Sequence, residues 1–153
     1  MKALCKAIPL CVLLVLPLVN GCSNNDNAPS TAAEVGTGLY QQLGGADGVT
    51  RLANQFGANI ASNPTLNQIL DSVVIGQIQS GFTNDVMTAS GMTPNGAETL
   101  SSALSGKGLN STHATALSNS LREAGASLGL SPSVMSTVAS TIVEPAARSA
   151  TGM

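Results

Sequence analysis

Residues 38–49 have the sequence Gly-Leu-Tyr-Gln-Gln-Leu-Gly-Gly-Ala-Asp-Gly-Val, and the interpretation of the whole chain depends on them. From the last residue of this stretch onward, apolar residues recur at intervals of three and four, which is the spacing of a single helical face. These residues are Val49, Leu52, Phe56 and Ile60. Asp47 is placed to cap this helix, and Asn63-Pro64 is placed to end it. The stretch therefore predicts the start of an amphipathic helix.

The helical spacing continues toward the C-terminus, and no segment of useful length alternates with the period of two that marks a strand. Ser111 or Thr112 is a candidate cap for a long later helix, Gly129 ends that helix, and Ser131-Pro132 begins the last one. The apolar positions of these helices are Ile75, Ile78, Phe82 and Val86, then Leu100 and Leu104, then Leu117, Leu121, Ala124 and Leu128, and finally Val134, Val138 and Ile142. The pattern predicts an all-α domain.

The chain has 153 residues, of which 43% are apolar and only 9% are charged. Its aromatic residues are Tyr40, Phe56 and Phe82, so the core must be built mainly from aliphatic side chains. Outside the first 21 residues, four basic residues face eight acidic ones, which gives a net charge of −4. Binding to nucleic-acid phosphates requires a basic surface. This charge balance argues against a nucleic-acid partner.

Residues 1–21 have the organisation of a secretory signal peptide. Lys2 and Lys6 precede an apolar run at 8–19, and the small residue Gly21 comes last. The apolar run is too short to form a stable bilayer-spanning helix, and prolines interrupt it. We therefore expect this segment to direct export.

The segment Leu18-Val19-Asn20-Gly21-Cys22 resembles a bacterial lipobox. The resemblance implies that Cys22 is acylated and anchors the mature chain in a membrane. Ser23 stands where an aspartate would retain a lipoprotein at the inner membrane of enteric-type bacteria, so the expected location is the outer membrane, facing the periplasm. Residues 22–37 are small and polar and are expected to form a flexible tether. The alternative is ordinary cleavage that leaves Cys22 as a free thiol.

The segment Leu39-Tyr40-Gln41-Gln42-Leu43-Gly44-Gly45 resembles the opening of group I truncated haemoglobins, which is typically Leu-Tyr-x-x-Leu-Gly-Gly. Further similar segments follow in the order of that family. They are Asn63-Pro64-Thr65-Leu66, Gly106-Lys107-Gly108-Leu109-Asn110 and Leu128-Gly129-Leu130-Ser131-Pro132. The resemblance covers residues 39–144. It implies that residues 38–148 form a truncated-globin-like two-over-two helical sandwich, in which two helix pairs enclose a haem.

The residues that hold haem in truncated haemoglobins do not recur in this sequence. The resemblance puts Leu104 at the position of the proximal histidine and Gly57 at the position of the distal tyrosine. Iron in this class needs an imidazole nitrogen, which leucine lacks. Leu70 stands near the position of an aromatic residue that packs on the porphyrin, and Phe82 near that of a distal glutamine. Lys107 is the basic residue left near the expected haem propionates.

His113 is the only histidine in the chain. The ordinary interpretation places it at the start or surface of a helix, and the alternative makes it a replacement haem ligand. Cys5 and Cys11 leave with the leader, so the mature chain has neither a disulfide nor a cysteine-and-histidine zinc site. Ser111 lies two residues from His113, a spacing that does not bring side chains together on a helix. The acidic residues are scattered, and we expect no enzyme activity.

These observations lead to three hypotheses. The first is a membrane-anchored, truncated-globin-like lipoprotein that has lost haem and has a binding, sensing or structural role at the envelope. Its former haem pocket, lined by Leu70, Phe82 and Leu104, would be filled or would hold another apolar ligand. The second is a haem- and oxygen-binding protein of the truncated-haemoglobin class that uses His113 or an external ligand. The third is a helical adaptor, which would show a contiguous exposed apolar patch. Neither a ligand nor the oligomeric state follows from the sequence.

Overall fold

The computed structural model describes residues 38–152, which form packed helices without a β-strand in that range. The helices are α1 (38–42), α2 (Gly45–Ser62), α3 (Pro64–Asn67), α4 (Ser72–Ala89), α5 (Leu100–Leu104), α6 (Ser111–Ser127), α7 (Pro132–Val138) and α8 (Glu144–Thr151), with a π-helical turn at Ala139–Val143. The predicted all-α class is confirmed. No helix between residues 38 and 152 has both the length and the apolar character needed to cross a bilayer. The leader, Cys22 and the 22–37 tether lie outside the described residues.

The glycines of the opening stretch set the boundary between α1 and α2. Gly44 has a φ of 90°, in the left-handed region that favours glycine, and α2 begins directly after it. Gly48 lies against the preceding chain, because a Cβ there would collide with the carbonyl group of Leu43. The predicted cap, Asp47, is wrong. It lies inside the first turn of α2, where its carboxylate is near the positive end of the helix dipole.

Other helix boundaries follow the predicted capping residues. Asn63 ends α2, and its side chain accepts hydrogen bonds from two N–H groups of α3. Ser131 accepts a hydrogen bond from the N–H of Val134, and Pro132 is the first residue of α7. Both boundaries predicted from Asn-Pro and Ser-Pro pairs are therefore confirmed.

Helix α2 lies at the centre of the domain and packs against both α4 and α6. Helix α4 also contacts α5, and α6 contacts α7 and α8. The facing sides of these helices join in one apolar core. Within it the rings of Phe56 on α2 and Phe82 on α4 have centroids 5.6 Å apart and are tilted by 57°. This pair therefore links the two longest helices through aromatic contact.

Most of the apolar positions predicted from helical spacing are buried, with three corrections. Ile75 and Val134 are only partly buried, and their neighbours Val74 and Met135 take the inward positions instead. Leu128 lies beyond the last turn of α6 and is 37% exposed. Each error is a shift of one residue or an overrun of a helix end, because spacing alone does not fix the rotation of a helix against its neighbours.

The sequence pattern predicts a single last helix that includes Val134, Val138 and Ile142, but a wider turn interrupts it. Between α7 and α8 the N–H of Glu144 donates to the carbonyl of Ala139, five residues earlier. Pro145 follows immediately and has no N–H to continue the α-helical bonding pattern. The wide turn accommodates this proline while Ile142 and Val143 remain buried.

Candidate functional site

The positions expected around a haem are filled by buried side chains. Leu70 follows α3, Phe82 lies in α4 and Leu104 ends α5, with exposed fractions of 1%, 0% and 0%. All three belong to one continuous apolar core. Protein interiors are close-packed, so a haem could enter here only by displacing core side chains.

Gly57, which the resemblance aligns with the distal tyrosine of truncated haemoglobins, is covered by a side chain from another helix. Gly57 is buried in the middle of α2, and the side chain of Gln79 on α4 lies directly over it. A Cβ added at Gly57 would lie 2.8 Å from the Cδ atom of Gln79, which is too close for real side-chain contacts. The amide of Gln79 therefore takes the space into which a larger residue at position 57 would project.

His113 is part of a helix cap. Asn110 caps α6, and its side chain accepts a hydrogen bond of 3.0 Å from the N–H of His113. The N–H of Asn110 donates in return to Nδ1 of His113, at 3.1 Å. This reciprocal pairing is a capping box with an imidazole in the place of the usual glutamate or glutamine. The predicted caps Ser111 and Thr112 are therefore wrong, because α6 starts from the residue before them.

The capping box makes His113 a poor fit to haem iron. Nδ1 accepts a hydrogen bond, so in the neutral ring the proton is on Nε2. Neither nitrogen then offers a free lone pair, since one is used and the other is protonated. His113 is half-buried at the start of α6. Within residues 38–152, its side chain forms no hydrogen bond with Ser111. The residues of this structure thus do not fit a haem ligated by His113.

Two other predicted features can be placed. Lys107 lies half-buried in the turn after α5, where its N–H donates to the carbonyl of Leu104 at 3.4 Å. Across residues 38–152, no three His, Cys, Asp or Glu side chains come close enough together to hold a metal ion. Cys22 lies outside this range, so its acylation stays a prediction.

Three residues of α4 fix the start of α5, a feature that the sequence did not suggest. Gly81 lets the helix approach closely, because a Cβ there would lie 2.6 Å from the nitrogen of Leu100. The side-chain amide of Asn84 donates to the carbonyl of Glu98 at 2.9 Å. Asp85 accepts a hydrogen bond of 2.9 Å from the N–H of Leu100. These three contacts bind α4 to the segment 98–100, and we call them the α4–α5 clamp.

Asp85 also lines a groove of about 390 Å³ between α4, α5, the π-helical turn and α8. Burial raises the pKa of the Asp85 carboxyl above its ordinary value of 3.8, and the hydrogen bond from Leu100 offsets part of that change. The other polar groups of the groove are hydroxyls, among them those of Thr88, Ser101 and Thr141. No second titratable side chain lines it. The groove can accept hydrogen bonds, but it lacks the pair of groups that acid–base catalysis uses.

Comparison with protein-family models, with curated proteins and with solved structures finds no match to this chain. The resemblance to truncated haemoglobins therefore stays a prediction that depends on the sequence motifs. The described structure confirms the all-α class of that prediction and leaves the two-over-two arrangement as an interpretation.

A helical adaptor, the third hypothesis from the sequence, would be expected to have a contiguous exposed apolar patch. The large apolar side chains that are exposed within the described residues are Val73, Met92 and Leu128, at 69%, 38% and 37%. Val73 lies in the first turn of α4 and Met92 just past its last turn, so the length of that helix separates them. Leu128 lies at the end of α6. These residues belong to three separate segments, and they give the adaptor hypothesis no specific support.

Proposed function

We propose that this chain is a lipid-anchored, truncated-globin-like protein that works without haem and has a non-enzymatic binding or structural role at the bacterial envelope. The observation that carries the proposal is the packing of Leu70, Phe82 and Leu104 into one continuous core. These are the positions at which the resemblance expects a haem pocket. A closed core there supports a fold that has kept its helices and replaced its cofactor with side chains.

The helix contacts support the globin-like part of the proposal. Helix α2 pairs with α4, and α6 pairs with α7 and α8, while α2 and α6 join the two groups. We interpret these contacts as a two-over-two sandwich, with α2–α4 as one layer and α6–α8 as the other. Phe56 of α2 and Phe82 of α4 pack against each other within the first of these pairs and belong to the common core.

The envelope location rests on the sequence of the leader. The lipobox-like segment ending at Cys22 would place acyl chains on the first mature residue, and residues 23–37 would connect them to the helical domain. The non-enzymatic role is supported by the lack of paired titratable groups in the Asp85 groove. It is also supported by the engagement of His113 in the cap of α6.

A titration of the full chain with haemin tests the proposal. The protein is purified in detergent, and absorbance in the Soret region is compared with that of detergent alone. We expect no saturable one-to-one change, and we expect the His113→Ala variant to give the same spectra as the wild type. A saturable one-to-one Soret band from the wild type would overturn the proposal. Loss of that band in His113→Ala would then identify His113 as the ligand, and its persistence would point to another residue.

A further inference from the structure

The contact between α6 and α8 leaves a groove of about 310 Å³ that contains two of the three arginines of the chain. Arg122 belongs to α6 and Arg148 to α8, and both line this groove. The only acidic residue in the lining is Glu144, which forms an ion pair with Arg148 at 3.5 Å. Arg122 forms no ion pair with another described residue. The groove therefore has one positive charge in excess.

This excess is unusual for the domain. Outside the groove, the charged residues between 38 and 152 are Arg51, Lys107, Asp47, Asp71, Asp85, Glu98 and Glu123, so acidic side chains outnumber basic ones by three. A positively charged groove within a negatively charged domain concentrates negative ligands at one place. A guanidinium group presents its donors in a planar fork that matches the oxygens of a carboxylate or a phosphate.

Ser118 adds a hydroxyl group to the lining of the groove. It lines the groove beside Arg122 and is only 8% exposed. The hydroxyl of Thr115, one turn earlier on α6, donates to the carbonyl of Ser111 at 3.0 Å. The hydroxyl of Ser118 makes no such bond to any described residue. The residue is mostly buried, but its hydroxyl oxygen stays accessible to solvent, so it is free to bond to a molecule in the groove.

The shape of the groove narrows the class of ligand. Its α6 wall runs from Ser111 to Arg122, a distance of about 16 Å along a regular helix. Hydroxyl groups line the part near Ser111 and Thr115, and the arginine lies at the other end. An elongated molecule with an oxyanion at one end and hydroxyl groups along its length would match this lining.

We propose that the α6–α8 groove binds a small oxyanion, a phosphate or carboxylate on a hydroxylated body, through Arg122, Arg148 and Ser118. Such a phosphate could come from a free phosphate ester or from the headgroup of an anionic lipid such as phosphatidylglycerol. The binding site is separate from the core positions discussed above, so its failure would leave the proposed loss of haem intact.

The test uses the full chain, labelled with 15N and held in neutral detergent micelles. Only three arginines are present, so the side-chain Nε–H region of the NMR spectrum contains three signals, and Arg51 on α2 serves as the internal control. With sn-glycerol 3-phosphate as probe, we expect the signals of Arg122 and Arg148 to shift saturably while that of Arg51 stays in place. Shifts that appear only when phosphatidylglycerol, and not phosphatidylcholine, is added to the micelles would assign the ligand to the lipid headgroup.

Substitutions distinguish a specific binding site from general electrostatic attraction. Arg122→Gln should weaken binding of the effective probe by at least about tenfold, because a charge-assisted hydrogen bond is lost. Ser118→Ala should weaken it by a smaller factor, and Arg51→Gln should leave it unchanged. The proposal is overturned if neither probe gives a saturable shift, if Arg51 shifts as much as the other two arginines, or if Arg122→Gln binds as tightly as the wild type.

Discussion

The side chain of Gln79 on α4 covers Gly57 on α2, so closely that a Cβ at position 57 would lie 2.8 Å from Cδ of Gln79. The two residues thus form a matched pair, in which the smallest residue makes room for a long amide. A tyrosine at position 57, as in the family that the sequence resembles, could be placed only if Gln79 moved. The pair also provides a test of how tightly this layer is packed.

Replacing Gly57 with alanine should stabilise the protein more when Gln79 is shortened first. In the Gln79→Ala background, the added Cβ has space, and we expect the free energy of unfolding to rise by about 1 kcal/mol through helix propensity. In the wild-type background the gain should be smaller, because the amide must move. Urea denaturation of the four proteins of this cycle gives the coupling. An equal gain in both backgrounds would show that Gln79 moves at no cost.

Gly81→Ala should destabilise the protein, and Gly76→Ala on the same helix should not. A Cβ at position 81 would collide with the backbone at Thr99 and Leu100, which belongs to another segment and cannot rotate away. We expect a loss of about 1–3 kcal/mol in the free energy of unfolding. Gly76 is exposed with no atom near its Cβ position, so alanine there should add about 1 kcal/mol. Similar urea midpoints for the two variants would contradict the close contact between α4 and α5.

The stability difference between the wild type and Asp85→Asn should depend on pH. Burial raises the pKa of Asp85 in the folded protein, so the folded state binds this proton more tightly than the unfolded chain. The free energy of unfolding of the wild type should therefore fall, relative to that of the variant, as pH rises above 3.8. Asparagine keeps an oxygen that can accept the bond from Leu100. A difference that stays constant from acidic to neutral pH would exclude this effect.

His113 should contribute to stability through its hydrogen bond to Asn110. His113→Ala removes the acceptor of the capping box, and we expect the free energy of unfolding to fall by about 1 kcal/mol. Glutamine is a usual residue at this position of a capping box, so His113→Gln should recover most of the loss. Thermal and urea unfolding of the two variants provide the comparison. Equal losses in both would mean that the imidazole acts through another contact.

Cys22→Ser should abolish lipid attachment. In bacteria grown with radiolabelled palmitate, we expect the wild-type chain to carry label and the variant to carry none. Cys5→Ser and Cys11→Ser are the matched controls, because both residues precede the expected cleavage site and should leave labelling intact. Label that persists in Cys22→Ser would contradict the lipobox interpretation.

Helix boundaries that depend on neighbouring residues could be predicted from the sequence. Asn63-Pro64 and Ser131-Pro132 work through bonds that span two or three residues, so their effect is contained in a short stretch of chain. The cap of α6 is harder to predict from the sequence. Asn110 pairs with His113, and an imidazole is not the side chain that marks a capping box in sequences. The start of α2 could not be predicted, because it depends on the positive φ that Gly44 adopts in the folded chain.

The candidate sites could not be predicted in the same way. The α4–α5 clamp joins Asp85 to Leu100, and the charged groove joins Arg122 to Arg148. Each pair belongs to different helices, and only their packing brings the residues together. Periodicity indicates which face of a helix is apolar, but it does not say which other helix will cover it. The spacing of Ser111, Thr115, Ser118 and Arg122 on one face of α6 was the one signal available beforehand.

The π-helical turn between α7 and α8 is a place where one residue can be lost without rotating α8. The turn contains one residue more than an α-helical turn needs, as the bond from Glu144 to Ala139 shows. Deleting Ser140 would allow α-helical geometry to close across the gap. The wide turn already fits its extra residue between two α-helical segments, so removing that residue would leave α8 at nearly its present rotation relative to α7. Ala146 and Ala147 would stay in the core, and Arg148 would stay beside the groove that it shares with Arg122.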